Sequence, residues 1–110
     1  MYKNIDKEVI LNLIDEVSYQ KHQVSSRNIA ASKGLNMTLF AFDKGEELTP
    51  HTSTGDAFLV VLEGKAKITI NGKENILVGG NSIIMPANIV HAVYALEQFK
   101  MLLIISFGDR

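Results

Sequence analysis

At 110 residues the chain has room for one domain and one core, and 46% hydrophobic against 21% charged residues places it with folded rather than disordered chains. Eleven basic and twelve acidic residues leave a formal charge of -1 with no dense run of Lys and Arg, which excludes a surface built to track nucleic-acid phosphates. The absence of cysteine excludes disulfides, thiolate nucleophiles and Cys-based zinc sites.

The amino-terminal stretch MYKNIDKEVILNLIDEV mixes Asp6, Glu8, Asp15 and Glu16 with its apolar residues, unlike a secretory signal. No apolar run approaches the ~20 residues needed to span a bilayer. A cytoplasmic protein without membrane or nucleic-acid partners is therefore expected. Within this stretch Val9, Ile10, Leu13, Ile14 and Val17 recur at helical spacing, with Lys7, Glu8, Asn12, Asp15 and Glu16 on the other face. Asp6 is placed to cap and Ile5 to staple. The spacing predicts a short amphipathic helix over residues 6–18, laid as a lid on the main fold.

From Val24 onward the composition turns to short β-type stretches broken by Gly, Asn and Pro. Strands are predicted near residues 24–31, 35–43, 57–63, 65–70, 74–78, 82–85, 91–96 and 99–107. In AKITINGKENILV, Asn71-Gly72 suits a type I′ turn between two strands. So many short strands at close spacing predict a sandwich or small barrel, which hides sheet edges. Two strands, FLVVL and FKMLLIISF, are apolar on both faces and need cover on both sides. One face can line a barrel interior; the other needs the helix or a second subunit, so a homodimer is expected.

The punctuation of the chain then resembles a known family. Gly45, five residues, His51, and Gly64 after FLVVLE resemble the first motif of the cupins; Gly80, five residues, Pro86, Asn88 and His91 resemble the second. The NG hairpin separates the two motif regions, and the resemblance covers about residues 35–107. It implies an all-β fold, a double-stranded β-helix (jelly-roll, RmlC-like cupin barrel), here with the short N-terminal helix and as a single domain over residues 1–110. Metal-binding cupins take two histidines and a glutamate from the first motif and one histidine from the second. On this chain those positions are His51, Ser53, Ala57 and His91, so two of the four donors remain. The family's glycine after the proline is Asn88, and the asparagine that often ends the second motif is Ala95.

Residues 51, 53 and 57 differ by even numbers and would share the inner face of an extended strand. Open catalytic metal sites commonly keep three protein ligands, and His51 and His91 supply two. Asp56 points outward on an unbroken strand; only a bulge at Gly55 would turn it inward and complete a two-histidine, one-carboxylate set. The plainer reading of Gly55-Asp56 is a turn before the strand. Alternation puts Ala57, Leu59 and Val61 with His91, Val93 and Ala95 on faces lining an apolar pocket, to which Ser53 adds a hydroxyl. The preferred reading is a cupin barrel that binds a small organic ligand, with weak or absent metal binding and no assignable reaction. Its alternative is a metal-dependent cupin enzyme, an oxygenase or isomerase, holding one divalent ion on His51 and His91. A sensory or accessory module ranks last. Three further polar residues read as bland: His22 as a solvated surface residue, Glu63 as a turn residue, and Tyr94 as packing on the face opposite His91.

Overall fold

The computed structural model describes residues 1–108 and contains nine strands preceded by one 3-10 turn. The strands are β1 (Val24–Ala31), β2 (Leu35–Phe42), β3 (Glu47–His51), β4 (Asp56–Glu63), β5 (Lys65–Ile70), β6 (Lys73–Val78), β7 (Ser82–Met85), β8 (His91–Ala95) and β9 (Phe99–Ser106). They form a five-stranded sheet in the order β1-β2-β9-β4-β7 and a four-stranded sheet in the order β3-β8-β5-β6, antiparallel throughout. This is the jelly-roll arrangement expected of the sequence. No helix among the described residues is long and apolar enough to cross a membrane.

The pattern of twos decides which side chains meet. Ala57, Leu59 and Val61 of β4 turn inward and pack with Ala66 and Ile68 of β5, Val93 and Ala95 of β8, and Met101 of β9. Phe42 stacks on Phe99 at 4.5 Å between ring centroids and fills the space between the sheets. Leu59 and Ile68 are fully buried, and each such side chain contributes about 1.5–3 kcal/mol relative to leaving it exposed. The Asn71-Gly72 turn is as predicted: both residues have positive φ, 49° and 82°, and Ile70 pairs directly with Lys73 across a two-residue loop.

The predicted helix over residues 6–18 is not formed. A single turn, Leu13–Glu16, replaces it, and Asn12 makes no side-chain capping bond. Glu8, inside the predicted range, lies at φ 62°, which a right-handed helix cannot contain. The tertiary contacts override the local periodicity. Tyr2 bridges to Ala30, the Lys3 amide donates to the Ile29 carbonyl at 2.9 Å, and Ile5, Leu13, Val17 and Tyr19 spread over the outer face of the five-stranded sheet. There they pack with Ile29, Leu39, Ala41, Leu62 and Leu102 in a second cluster, which supplies part of the outer cover that the doubly apolar strands require. Lys100 reaches out of β9 to secure this layer: its Nζ donates to the Ile14 carbonyl at 2.6 Å and lies 4.8 Å from the Tyr19 ring centroid.

Candidate functional site

β3 is the edge of its sheet and carries Pro50, which has no N–H to give a ladder. Its pairing with β8 is broken at that point. Leu48 lies opposite Val93 and His51 opposite His91, so three steps along β3 match two along β8. This is a β-bulge, and its consequence is directional. Leu48 packs on the core; in a regular strand a residue three places on would face out. The extra residue returns His51 to the inner face, beside His91. A bulge is thus present in the first motif, at Thr49-Pro50 and not at Gly55.

His51 and His91 are neighbours on paired strands of one sheet, and do not face each other from opposite walls of the barrel. Their Nε2 atoms are 3.1 Å apart and their rings meet edge to face, 4.4 Å between centroids at 71°. The bulge also supplies the Thr49 carbonyl, 2.6 Å from His51 Nδ1, while the Ile89 carbonyl stands 3.2 Å from His91 Nδ1. A carbonyl can only accept, so each Nδ1 is assigned the proton, and in the neutral form of each ring Nε2 is the acceptor. Two lone pairs therefore converge on one small space. His91 is 4% exposed and His51 is exposed, so the pair opens to solvent on the His51 side. Burial, and then the neighbouring His51, lower the pKa of His91, with the contact to the Ile89 carbonyl opposing in part. His91 is accordingly held neutral, the form in which its Nε2 accepts.

Ser53 lies in the loop between β3 and β4, not on a continuous strand, so the count of two that relates 51, 53 and 57 does not hold across it. Its carbonyl accepts from the Asn88 amide at 2.7 Å and its Oγ from the Gly55 amide at 3.2 Å. The first of these bonds ties the loop before β4 to the loop before β8. Asn88 sits at φ 64°, and asparagine tolerates this left-handed conformation in place of glycine.

Asp56 opens β4 in unbroken register, opposite Ser106 and followed by Ala57 opposite Ile105. Its side chain is turned outward and Oδ1 accepts from the Ala87 amide at 2.8 Å. The condition for its joining the histidines, a bulge at Gly55, is not met. Gly55 serves another purpose: a Cβ there would stand 2.5 Å from the Ser106 carbonyl oxygen, so glycine allows the close approach of β9. Ala57, Leu59, Val61, Val93 and Ala95 do face the interior side that bears His91, and all are at most 2% exposed. They form a packed floor beneath the pair. Among the described residues no group of three or more His, Cys, Asp or Glu is placed to hold one metal ion.

The remaining polar residues fall elsewhere. His22 is exposed, its amide donating to Asp43. Tyr94 is on the face opposite His91, with Lys67 Nζ 5.4 Å from its ring centroid. Glu63 does more than end a strand: it accepts from the Tyr19 hydroxyl at 2.6 Å, and burial together with this carboxylate raises the tyrosine pKa. What sequence reading missed at the site was the bulge and the two carbonyls that fix the imidazoles. The available signal was Pro50, a proline within a stretch otherwise suited to pairing.

Comparison with known proteins agrees with this geometry. The cupin-domain family profile matches residues 38–106, which include both histidines. A conserved protein of unknown function from Streptococcus pyogenes is 38% identical, with 99% of this chain and 96% of that chain covered and a TM-score of 0.96. A cupin superfamily protein from Desulfitobacterium hafniense is 30% identical over 98% of this chain and 99% of that one, with a TM-score of 0.93. A cupin 2 conserved barrel domain protein from Leptotrichia buccalis is 45% identical over 87% of this chain, which spans only 47% of that longer one, with a TM-score of 0.85. No curated protein matches the chain. Family profile, full-length structural likeness and the two motif histidines agree: the chain belongs to the cupin family.

Proposed function

We propose that this protein binds a small organic ligand through the His51–His91 pair at the mouth of the barrel, and that it does so as a homodimer. One observation supports the ligand reading above others. Both Nδ1 atoms are committed to backbone carbonyls while both Nε2 atoms, 3.1 Å apart, present acceptors to the same point. Two neutral imidazoles in this arrangement cannot hydrogen-bond each other through Nε2, so they are satisfied either by a proton shared between the rings or by a ligand group that donates to both, and the ligand reading takes the second. A ligand hydroxyl, carboxylic acid or N–H meets that need. Its apolar body would rest on the mouth of the barrel, since the floor of alanines, leucine and valines is already packed. No reaction is assigned to the pair.

A second reading is favoured by the same distance. Nitrogens 3.1 Å apart fit two neighbouring positions around one divalent ion with bonds of about 2.0–2.1 Å. The donor set does not reach three His or carboxylate ligands, because Asp56 is engaged with Ala87 and the other two motif positions are Ser53 and Ala57. A metal here would take the rest of its shell from water or a small ligand.

Two measurements on the purified protein separate the readings: metal content, for wild type and His51→Ala, and thermal shift against a panel of hydroxy acids, phenols and sugars in chelator. The ligand reading expects substoichiometric metal and at least one panel member that raises Tm in wild type but not in His51→Ala. Near-stoichiometric iron, manganese, nickel or zinc that disappears in His51→Ala would overturn it in favour of the metal enzyme.

A further inference from the structure

The outer face of the five-stranded sheet is only half covered. Its inner rows close on the core, while outside a row runs Met37, Ile104, Phe58 and Ile84 across β2, β9, β4 and β7. The N-terminal segment covers the β2 end of this row. At the other end Phe58 and Ile84 remain 41% and 55% exposed. Under the covered half the segment does not close tightly. It leaves a largely apolar cavity of about 320 Å³, walled by Ile5, Leu11 and Leu13 from the segment and Ile29, Met37 and Leu102 from the sheet, with Asp6 and Lys7 also lining it. Directly beside the cavity, adjoining Leu11, the chain holds out Val9 at 56% exposure and Ile10 fully exposed.

An apolar projection and an apolar hole therefore lie next to each other on one surface. That surface continues through Met37 and Ile104 to Phe58 and Ile84. We infer that this face is the contact surface for a second copy of the chain, with Ile10 of each subunit seated in the other's cavity. The inference rests on the homodimer reading above and gives it a location. A two-fold axis makes such a patch complementary to itself, because the projection of one copy meets the hole of the other twice over and the contact closes. A heterologous use of the same two features would leave an unsatisfied projection at one end and an unsatisfied hole at the other.

The exposed apolar area is close to what a small dimer interface needs. Val9, Ile10, Leu11, Phe58 and Ile84 expose on the order of 500 Å² per subunit and about 1,000 Å² across the pair, which approaches the ~1,200 Å² of a small stable interface once flanking atoms are included. The failure of the predicted helix belongs to the same explanation. A helix over residues 6–18 would have turned Ile10 onto its own sheet; the extended segment instead presents Ile10 outward, where only another molecule can bury it.

The test is sedimentation velocity of the full chain at about 1–100 µM, with Ile10→Asp and, as a control, Ile76→Asp, an equally apolar residue that is 54% exposed on β6 in the other sheet. Ile10→Asp removes the apolar side chain that fills the cavity and requires a carboxylate to give up water against the walls formed by Ile29, Met37 and Leu102, so it should weaken the dimer by roughly 100-fold or more. Ile10 is fully exposed within one subunit, so circular dichroism of the variant should match wild type. Wild type and Ile76→Asp should both sediment as dimers. A dimer that survives Ile10→Asp unchanged overturns this interface while leaving the homodimer reading intact; dissociation by both substitutions also overturns it. Wild type sedimenting as a monomer throughout would overturn the homodimer reading and this inference together.

Discussion

Gly64 closes the first motif region, and its replacement measures how much of that motif is backbone geometry. Gly64 has φ +89°, and a Cβ built there would stand 2.6 Å from Phe99 Cα. Two costs follow from Gly64→Ala. A left-handed conformation costs an L-residue about 1–2 kcal/mol, and overpacking against atoms that cannot rotate away costs about 1–3 kcal/mol. The sum, about 2–5 kcal/mol, is a large share of the ~5–15 kcal/mol that stabilises a domain. Gly72 and Gly55 separate the two costs. Gly72, in the hairpin turn, has φ +82° with nothing within 4 Å of its Cβ position, so alanine there meets only the first. Gly55 has no left-handed φ but has the Ser106 carbonyl oxygen at 2.5 Å, so alanine there meets only the second. Thermal and urea unfolding of the three variants should rank Gly64→Ala as most damaging. At about 4–8 °C per kcal/mol its Tm should fall by at least ~8 °C. A Gly64→Ala protein within about 0.5 kcal/mol of Gly72→Ala would refute the claim that Gly64 is required by the approach of β9.

Two further outcomes are expected. Because burial and His51 lower the pKa of His91 in the folded state, the unfolded chain binds its proton first. Stability is therefore complete above the ordinary histidine value of ~6.5 and declines as pH falls from there toward the folded value, at no more than about 1.4 kcal/mol per pH unit from this one group. Melting in chelator from pH 7.5 to 5.5 should show this decline, and His91→Asn should flatten it; an equal slope in the variant would reject the assignment to His91. Asp56→Ala should leave the metal content of the purified protein unchanged, since the carboxylate is spent on the Ala87 amide, and should cost about 1 kcal/mol for that lost bond. Loss of metal in Asp56→Ala would place this carboxylate in the site after all.

The sequence made some of this visible and hid the rest for physical reasons. The positions of every strand but β3, the Asn71-Gly72 turn and the inward set on β4 and β8 were legible because alternation and positive-φ residues act locally. β3 was not, because GEELTPH lacks alternation and has a proline near its end; its pairing is imposed by β8. The helix over residues 6–18 was read from a periodicity that is present in the residues. The periodicity loses to the bridge at Tyr2 and to packing on Ile29, Leu39 and Leu102, none of which has a local signature. Both histidines were identified from their spacing to glycines, yet their relation was not. Counting by twos through residues 51, 53 and 57 assumes one strand, whereas the chain leaves β3 at His51 and enters β4 at Asp56.

The bulge at Thr49-Pro50 explains why the two imidazoles, with no third side-chain donor, still have a definite arrangement. A single residue of excess in β3 sets the face of His51, supplies the carbonyl that fixes its tautomer, and brings its Nε2 to 3.1 Å from that of His91. On β8 the Ile89 carbonyl does the same for the partner ring from a loop held to Ser53 through Asn88. Orientation thus comes from backbone groups, which substitution of neighbouring side chains leaves in place. That is consistent with Ser53 and Ala57 standing where other cupins have metal donors, without disturbing the pair. What remains is a pair of acceptors fixed before any ligand arrives, one sheltered and neutral and the other open to solvent. On the proposed ligand reading such an arrangement would select by proton donation, and a ligand that cannot offer a donor or a positive charge at that point should gain little from the pair.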